Sequence, residues 1–175
     1  MIATYLLAAM LFWVPLSAHD YTKVPREETA ARYASIAHDL ELVAFDPDEA
    51  PLFEGPTGRA QTAVLVLAIA SFESGQFRAD VDQEDRASGD GGHAWCLGQL
   101  HAPYSDGLTD RISCFRGMLR ALRDSSAMCG TEDVARRFSG YTVGYCLDGE
   151  AQAQHRIERA TKWWALAPWL PPIDP

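Results

Sequence analysis

The residue that could carry chemistry in this sequence is Glu73, which follows a strongly apolar segment. Residues 63–70 are all apolar, and Phe72 and Phe77 lie on either side of the glutamate. A carboxyl group there faces the negative end of a helix dipole and apolar neighbours, and both disfavour its charged form. A neutral carboxyl can protonate the leaving oxygen when a glycosidic bond is cleaved. Glu73 is therefore the candidate catalytic acid, and the alternative is a solvent-exposed glutamate that only ends a helix.

A second carboxylate would change the chemistry, and the sequence after Glu73 is rich in acidic residues. They are Asp80, Asp82, Glu84, Asp85 and Asp90. One of them could complete a hydrolytic pair with Glu73, although a solvated acidic loop is the favoured interpretation. Residues 80–85 lack the glycine of an EF-hand loop at the sixth position, and no glutamate stands at the twelfth. The sequence predicts no metal ion and no cofactor.

Three segments carry a family resemblance. They are residues 73–75 (Glu-Ser-Gly), 96–100 (Cys-Leu-Gly-Gln-Leu) and 141–144 (Tyr-Thr-Val-Gly). In this order they resemble the Glu-Ser, Gly-x-x-Gln and Tyr-Asn-x-Gly motifs of the soluble lytic transglycosylase domain, within the lysozyme-like superfamily. The Trp-Cys-Leu run at 95–97 and the later Cys146 are similar to the cysteine-containing, phage-like branch. The resemblance covers about residues 59–147.

The resemblance implies a mainly α, lysozyme-like helical domain with a groove beside Glu73. It implies cleavage of the β-1,4 bond between MurNAc and GlcNAc in peptidoglycan strands, which leaves a 1,6-anhydromuramic acid end. Glu73 would protonate the bridging oxygen and then help the C6 hydroxyl attack the anomeric carbon. Gln99 would hydrogen-bond to sugar or backbone, and Tyr141 would orient Glu73. Ser74 and Thr142 would be further substrate contacts.

Two residues depart from the family pattern. Cys96 stands where the second motif has glycine, and Thr142 replaces an asparagine whose amide would contact substrate. Residues 138–140 (Phe-Ser-Gly) offer a second register for the third motif. The register that begins at Tyr141 is preferred because Gly144 and Cys146 then also fit.

Other interpretations of the same residues stay open. A lysozyme-type hydrolase would use Glu73 with an aspartate of the loop, and a non-catalytic protein would keep the fold to bind glycan or build a cell-surface or virion assembly. His93 and His101 flank the glutamine motif, but loop histidines are common and a surface role is favoured. Core packing is favoured over a sugar-stacking platform for the tryptophans near the C-terminus, which are Trp163, Trp164 and Trp169.

Composition predicts one globular domain that does not bind nucleic acid. The chain has 175 residues, of which 47% are hydrophobic, enough for one core. It has 15 basic and 24 acidic residues, so its net charge is −9. Binding to nucleic acid phosphates requires a basic surface, which this balance disfavours. We expect a monomer whose partner is the glycan strand.

The first residues resemble a secretory signal. Residues 2–18 carry no charge and end in small side chains, which predicts cleavage near Ala18. The departure from the usual pattern is that no lysine or arginine precedes Lys23. An uncleaved membrane anchor and a buried segment are the two alternatives. The domain division is therefore 1–18 as signal or anchor and 19–175 as a single domain.

The four cysteines predict two disulfides. An even number of cysteines after a signal suits an oxidising compartment. Four buried thiols are an alternative, and zinc is disfavoured because no two cysteines have the close spacing of a metal knuckle. Cys114 and Cys129 bracket a helix-turn segment while Cys96 and Cys146 border two motifs, and these are the predicted pairs. Together with the signal, the cysteines predict a periplasmic, extracellular or virion-associated protein.

Hydrophobic periodicity and turn residues predict a mostly helical chain. The predicted helices cover residues 27–45, 59–73 and 111–124, one that starts at Thr131, and 150–167. Between residues 74 and 109 the composition shifts to Gly, Asp, His and Ser. Any β-structure is expected there and is expected to be short.

Overall fold

The computed structural model describes residues 2–19, 24–82, 87–130, 133–146 and 149–165, and they form a mainly α fold. This confirms the predicted class. The described part of the chain contains six α-helices and two short strands, joined by turns and loops. They are α1 (Ile2–Trp13), α2 (Arg26–Ala44), α3 (Gly58–Glu73), β1 (Ala87–Gly89), β2 (Ala94–Trp95), α4 (Arg111–Cys129), α5 (Val134–Val143) and α6 (Glu150–Ala165).

Helix α3 forms the centre of the core. Every residue from 62 to 71 is buried, because the helix is apolar on all faces and other helices surround it. It packs against α1, α2, α4 and α6. The predicted central helix is therefore confirmed, and Glu73 is its last residue.

Helices α4 and α5 differ from prediction at their ends. The Asp110 side chain accepts a hydrogen bond from the Ser113 backbone N–H, as in a capping box, and so fixes the start of α4. α4 continues to Cys129 rather than ending near Asp124. α5 begins at Val134 with Asp133 as its N-cap. The predicted cap, residue 131, lies outside the described residues.

The segment between α3 and α4 contains the only two strands of the described chain. β1 and β2 pair antiparallel, with Ala87 opposite Trp95 and Gly89 opposite Ala94. Trp95 also bridges to Leu100. This agrees with the expectation that β-structure would be short and would lie in this segment.

Asp82 corrects one part of the acidic-loop interpretation. Its side chain is fully buried and accepts hydrogen bonds from Arg32 of α2 at 3.2 Å and from Arg111 of α4 at 2.9 and 3.0 Å. Asp80, in contrast, is exposed and pairs with Arg78. Asp82 is therefore an internal anchor of the segment after Glu73 and is not available as a solvated second carboxylate.

Residues 2–13 form helix α1, which is packed against α2 and the core. Ile2, Tyr5, Leu6, Ala9 and Met10 are buried, and the Tyr5 hydroxyl donates to the backbone carbonyl of Trp163 in α6. This arrangement is the one that the buried-segment alternative describes. Cleavage near residue 18 stays a prediction. Within the described ranges, no helix is both long and apolar enough to cross a membrane.

All four cysteines form disulfides, but the predicted pairing is wrong. The bonds join Cys96 to Cys114 and Cys129 to Cys146. Cys114 and Cys129 lie near opposite ends of α4, and at about 1.5 Å per residue they are roughly 22 Å apart along its axis. A disulfide requires Cα atoms within about 7 Å. Two disulfides indicate a non-reducing environment, as in exported proteins.

The tryptophans of α6 belong partly to the core. Trp163 is 1% exposed, as the core-packing interpretation predicts. Trp164 is partly buried against the same core. α6 is described as far as Ala165, so Trp169 and the predicted helix end at residue 167 lie outside the described residues.

Candidate functional site

One groove contains residues from all three sequence motifs. Its volume is about 740 Å³, and its walls include Glu73, Gln99, Tyr141 and Thr142. Glu73 comes from the end of α3, Gln99 from the turn after β2, and the other two from the last turns of α5. The fold therefore brings these segments to one surface although they are far apart in sequence.

A sharp turn after α3 places Glu73 at the edge of this groove. The Ser74 hydroxyl donates to the Ala70 carbonyl at 2.5 Å and accepts from the Phe77 N–H at 2.8 Å. Ser74 is 1% exposed, and both sides of its hydroxyl are used within the chain. It therefore shapes the turn that presents Glu73, and the substrate contact predicted for it has no accessible group here.

The carboxylate of Glu73 forms an ion pair with Arg156, which the sequence analysis did not identify. Nε and Nη2 of Arg156 donate to Oε1 of Glu73 at 2.9 and 2.5 Å. The side chains are 14% and 19% exposed for the arginine and the glutamate. Among the described residues, Oε2 of Glu73 has no hydrogen-bond partner. The carboxylate therefore has a cationic neighbour in addition to the apolar residues that the sequence predicts around it.

Two arginines of α6 hold this helix against the end of α3. The guanidinium carbons of Arg156 and Arg159 lie 5.4 and 3.7 Å from the ring centroid of Phe72. Arg159 also donates to the Ser71 hydroxyl at 2.8 Å. Burial lowers the pKa of Arg159, and the nearby charge of Arg156 lowers it further. These contacts fix the position from which Arg156 reaches Glu73.

Another wall of the groove is the turn that carries Gln99. The Gln99 amide donates to the Cys96 carbonyl at 2.9 Å. A Cβ atom at Gly89 would lie 1.8 Å from the Gln99 side-chain oxygen, so only glycine at position 89 leaves room for this amide. The disulfide from Cys96 to Cys114 fastens the turn to α4. The Gln99 side chain is thus held by a hydrogen bond within its own turn and lies close to Gly89 of β1, and the disulfide fixes that turn to α4.

Tyr141 contacts the glutamine turn rather than Glu73. Its hydroxyl donates to the Gly98 carbonyl at 2.7 Å. Burial raises the pKa of Tyr141 well above its ordinary value, the charge of Glu73 raises it further, and Arg156 acts in the opposite direction. Tyr141 therefore stays a neutral donor. Arg156 holds the Glu73 carboxylate by two hydrogen bonds, and the orienting role expected for Tyr141 stays a prediction.

The third motif is accessible in the register that begins at Tyr141. Phe138 and Ser139 are 2% and 0% exposed, so the alternative register would place its first two residues in the core. Thr142 lines the groove, and its hydroxyl donates to the Ser139 carbonyl at 2.7 Å. The preferred register therefore places its first two residues at the groove, whereas the alternative register would place them in the core.

No protein-family model, curated protein or solved structure matches this chain.

Two further carboxylates line the groove. They are Asp90, which lies next to β1, and Asp124 of α4, whose side chain accepts a hydrogen bond from the Tyr104 hydroxyl at 2.9 Å. His101 also lines the groove and lies 3.7 Å from Asp90. In the described part of the chain, no group of three or more His, Cys, Asp or Glu side chains is arranged to hold a metal ion. The groove thus offers carboxyl, amide and hydroxyl groups, which suit a polar, uncharged ligand.

Proposed function

We propose that the protein is a peptidoglycan lytic transglycosylase that cleaves the β-1,4 bond between MurNAc and GlcNAc. The observation that carries this proposal is the single groove shared by Glu73, Gln99 and Tyr141, one residue from each motif. A groove lined by carboxyl, amide and hydroxyl groups suits a glycan strand. The two disulfides support a place of action outside the reducing cytoplasm, so we expect a periplasmic, extracellular or phage-associated enzyme.

In the proposed reaction the Glu73 carboxyl acts first as an acid and then as a base. Its Oε2 atom, which makes no hydrogen bond to a described residue, donates a proton to the bridging oxygen while the bond from that oxygen to C1 of MurNAc breaks. The resulting carboxylate accepts the proton of the C6 hydroxyl, and O6 bonds to C1. The proton lost in the first step is recovered in the second, and no water is consumed. One essential carboxylate is sufficient for this sequence of steps.

Arg156 acts on the charge that develops during this reaction. Its guanidinium stabilises the carboxylate that forms as the bond breaks and then serves as the base. We therefore regard Arg156 as a positioning residue that holds Oε1 and leaves Oε2 without a hydrogen-bond partner among the described residues.

Replacing Arg156 by glutamine should slow cleavage. Glutamine cannot supply the two charged hydrogen bonds that hold Oε1 of Glu73. The maximal rate should fall about tenfold or more, because a charged hydrogen bond to the carboxylate is lost. Arg116→Gln is the control, since it also removes one cation, but Arg116 is 50% exposed, pairs with Asp46 and does not line the groove. Equal rates for the two variants would contradict the role of Arg156.

Product analysis tests the reaction itself. Purified peptidoglycan digested with the protein should yield fragments with 1,6-anhydromuramic ends, identified by mass spectrometry as lacking one water and a reducing end. Reducing ends would instead indicate a hydrolase. An absence of products at any enzyme concentration, with glycan binding retained, would indicate the non-catalytic alternative.

A lysozyme-type hydrolase is the second candidate, because Asp90 and Asp124 line the same groove as Glu73. A hydrolase requires one of these carboxylates as base or nucleophile. Under that mechanism, either Asp90→Asn or Asp124→Asn would abolish cleavage as completely as removal of Glu73. Under transglycosylation, each variant should retain activity within about tenfold of the wild type, which is the loss expected for a binding contact.

A further inference from the structure

A second cavity adjoins the catalytic groove, and no step of the proposed reaction uses it. Its volume is about 470 Å³, and we call it the outer cavity. It shares Asp90, His101 and Ala102 with the groove, so these residues form a common boundary. A polymer that lies in the groove can therefore continue into the outer cavity. Its other walls include His93, Trp95, Ser105 and Asp106.

The Trp95 side chain lines the outer cavity, and its backbone is held in place by hydrogen bonds. The backbone of Trp95 exchanges two hydrogen bonds with Leu100, at 3.0 and 2.9 Å, which hold the residue at the edge of the short sheet. Its side chain is partly exposed. Within the described part of the chain, the indole N–H donates to no group and the ring packs on no other aromatic ring. A tryptophan with an accessible face and a free donor suits stacking on a pyranose ring.

Polar groups stand at the boundary between the two cavities. Nε2 of His101 and Oδ2 of Asp90 are 3.7 Å apart, which is beyond hydrogen-bond length. The two side chains are 54% and 72% exposed for the histidine and the aspartate, so both keep free hydrogen-bonding positions. Sugar hydroxyls donate and accept, and they match a carboxylate acceptor beside an imidazole that can do either.

We infer that the outer cavity is a subsite for one sugar ring of the glycan strand. Trp95 stacks on a pyranose face there, and Asp90 and His101 hydrogen-bond its hydroxyl groups. This inference rests on the proposed function, because it takes the neighbouring groove to hold a glycan. The negative charges of Asp90 and Asp106 favour a neutral sugar over an acidic stem peptide of the wall.

Binding of uncharged oligosaccharides tests the subsite without catalysis. The probes are N-acetylglucosamine oligomers, a trisaccharide and a hexasaccharide, titrated by calorimetry into Glu73→Gln protein. Adding Trp95→Leu should weaken hexasaccharide binding about tenfold and leave trisaccharide binding unchanged. His101→Ala should act in the same direction. Trp164→Leu is the matched control, because Trp164 lines a separate cavity that shares no residue with the outer cavity or the groove.

The outcomes separate failure of the subsite from failure of the proposed function. If Trp95→Leu leaves hexasaccharide binding unchanged, or weakens both oligomers equally, the subsite is wrong even when the wild type cleaves peptidoglycan. If neither oligomer binds, the subsite is also wrong. If binding of peptide-bearing wall fragments depends on Trp95 but binding of the oligosaccharides does not, the occupant is the stem peptide and the inference is overturned. If hexasaccharide binding depends on Trp95 but the wild type yields no cleavage products, the subsite stands and the proposed enzyme is rejected.

Discussion

Glu73→Gln should lose glycan cleavage by at least about a thousandfold and keep its fold. An amide cannot donate the proton that the bridging oxygen requires, and the loss of a general acid together with the base of the next step commonly costs this much. Glutamine preserves the size of the side chain and still accepts a hydrogen bond from Arg156 through its carbonyl oxygen. The measurement is the release of soluble fragments from purified peptidoglycan, compared with the wild type over the same pH range.

The control for this variant removes a carboxylate elsewhere. Glu158 lies on α6 with a side chain that is 49% exposed, and it does not line the groove. Glu158→Gln should cleave at the wild-type rate. Thermal unfolding of both variants should show cooperative transitions, with a loss for Glu73→Gln of about 1 to 2 kcal/mol from the weakened contact to Arg156. A Glu73→Gln protein that cleaves within tenfold of the wild type would remove Glu73 from the mechanism.

The position of Glu73 could be predicted because its signals are local. An apolar run whose length and alanines favour a buried helix over a strand precedes it, and a serine and a glycine follow it. The burial of residues 62–71 and the end of α3 at Glu73 follow from these local properties. The meeting of Gln99 and Tyr141 beside it was predicted from the motif order alone.

The role of Arg156 could not be predicted because its partner is distant in sequence. A weaker signal was present in α6, where Arg156, Arg159 and Trp163 follow one another at steps of three and four and so share one helix face. Trp163 is buried, so arginines on that face must find acceptors within the fold. The pattern predicts that such acceptors exist, but only the packing of α6 on α3 shows that one of them is Glu73.

The predicted disulfide pairing is wrong because α4 is longer than predicted. The prediction placed the end of α4 near Asp124, which left a turn that could bring Cys129 back toward Cys114. Ser125 and Cys129 are buried in the structure, and the helix continues until Gly130, whose φ is +82°. Helix propensity does not reveal this extension, because burial against α5 stabilises it. A longer helix separates the two cysteines and makes each available to a different partner.

Asp82→Asn should destabilise the fold by about 3 kcal/mol. The carboxylate is fully buried and joins two arginines whose side chains are 14% and 17% exposed. Burial alone would lower the pKa of Arg111, but hydrogen bonds and charges from Asp82 and Asp39 raise it above its ordinary value. Asparagine leaves these cations with one fewer counter-charge, and breaking a buried ion pair on one side costs about 3 to 5 kcal/mol. Because both arginines are partly exposed, we expect the loss of stability to lie at the lower limit of this range.

The matched control is Asp80→Asn, two positions earlier in the same segment. Asp80 is 59% exposed, as is its partner Arg78, so the loss of this surface ion pair should cost at most about 0.5 to 1 kcal/mol. Urea unfolding monitored by circular dichroism measures both, and equal m-values with a lower midpoint for Asp82→Asn would identify a change in stability. Equal midpoints for the two variants would contradict the anchor role.

The same substitution also connects stability to the groove. Asp82 ties the segment that leaves Glu73 to α2 and α4, and this segment leads into β1, where Gly89 makes room for the Gln99 amide. Loosening the anchor should therefore reduce glycan cleavage at temperatures where Asp82→Asn is still folded, whereas Asp80→Asn should cleave normally. A variant that is less stable but fully active would show that the anchor serves the core alone, and that the disulfide to α4 is sufficient to position the glutamine turn.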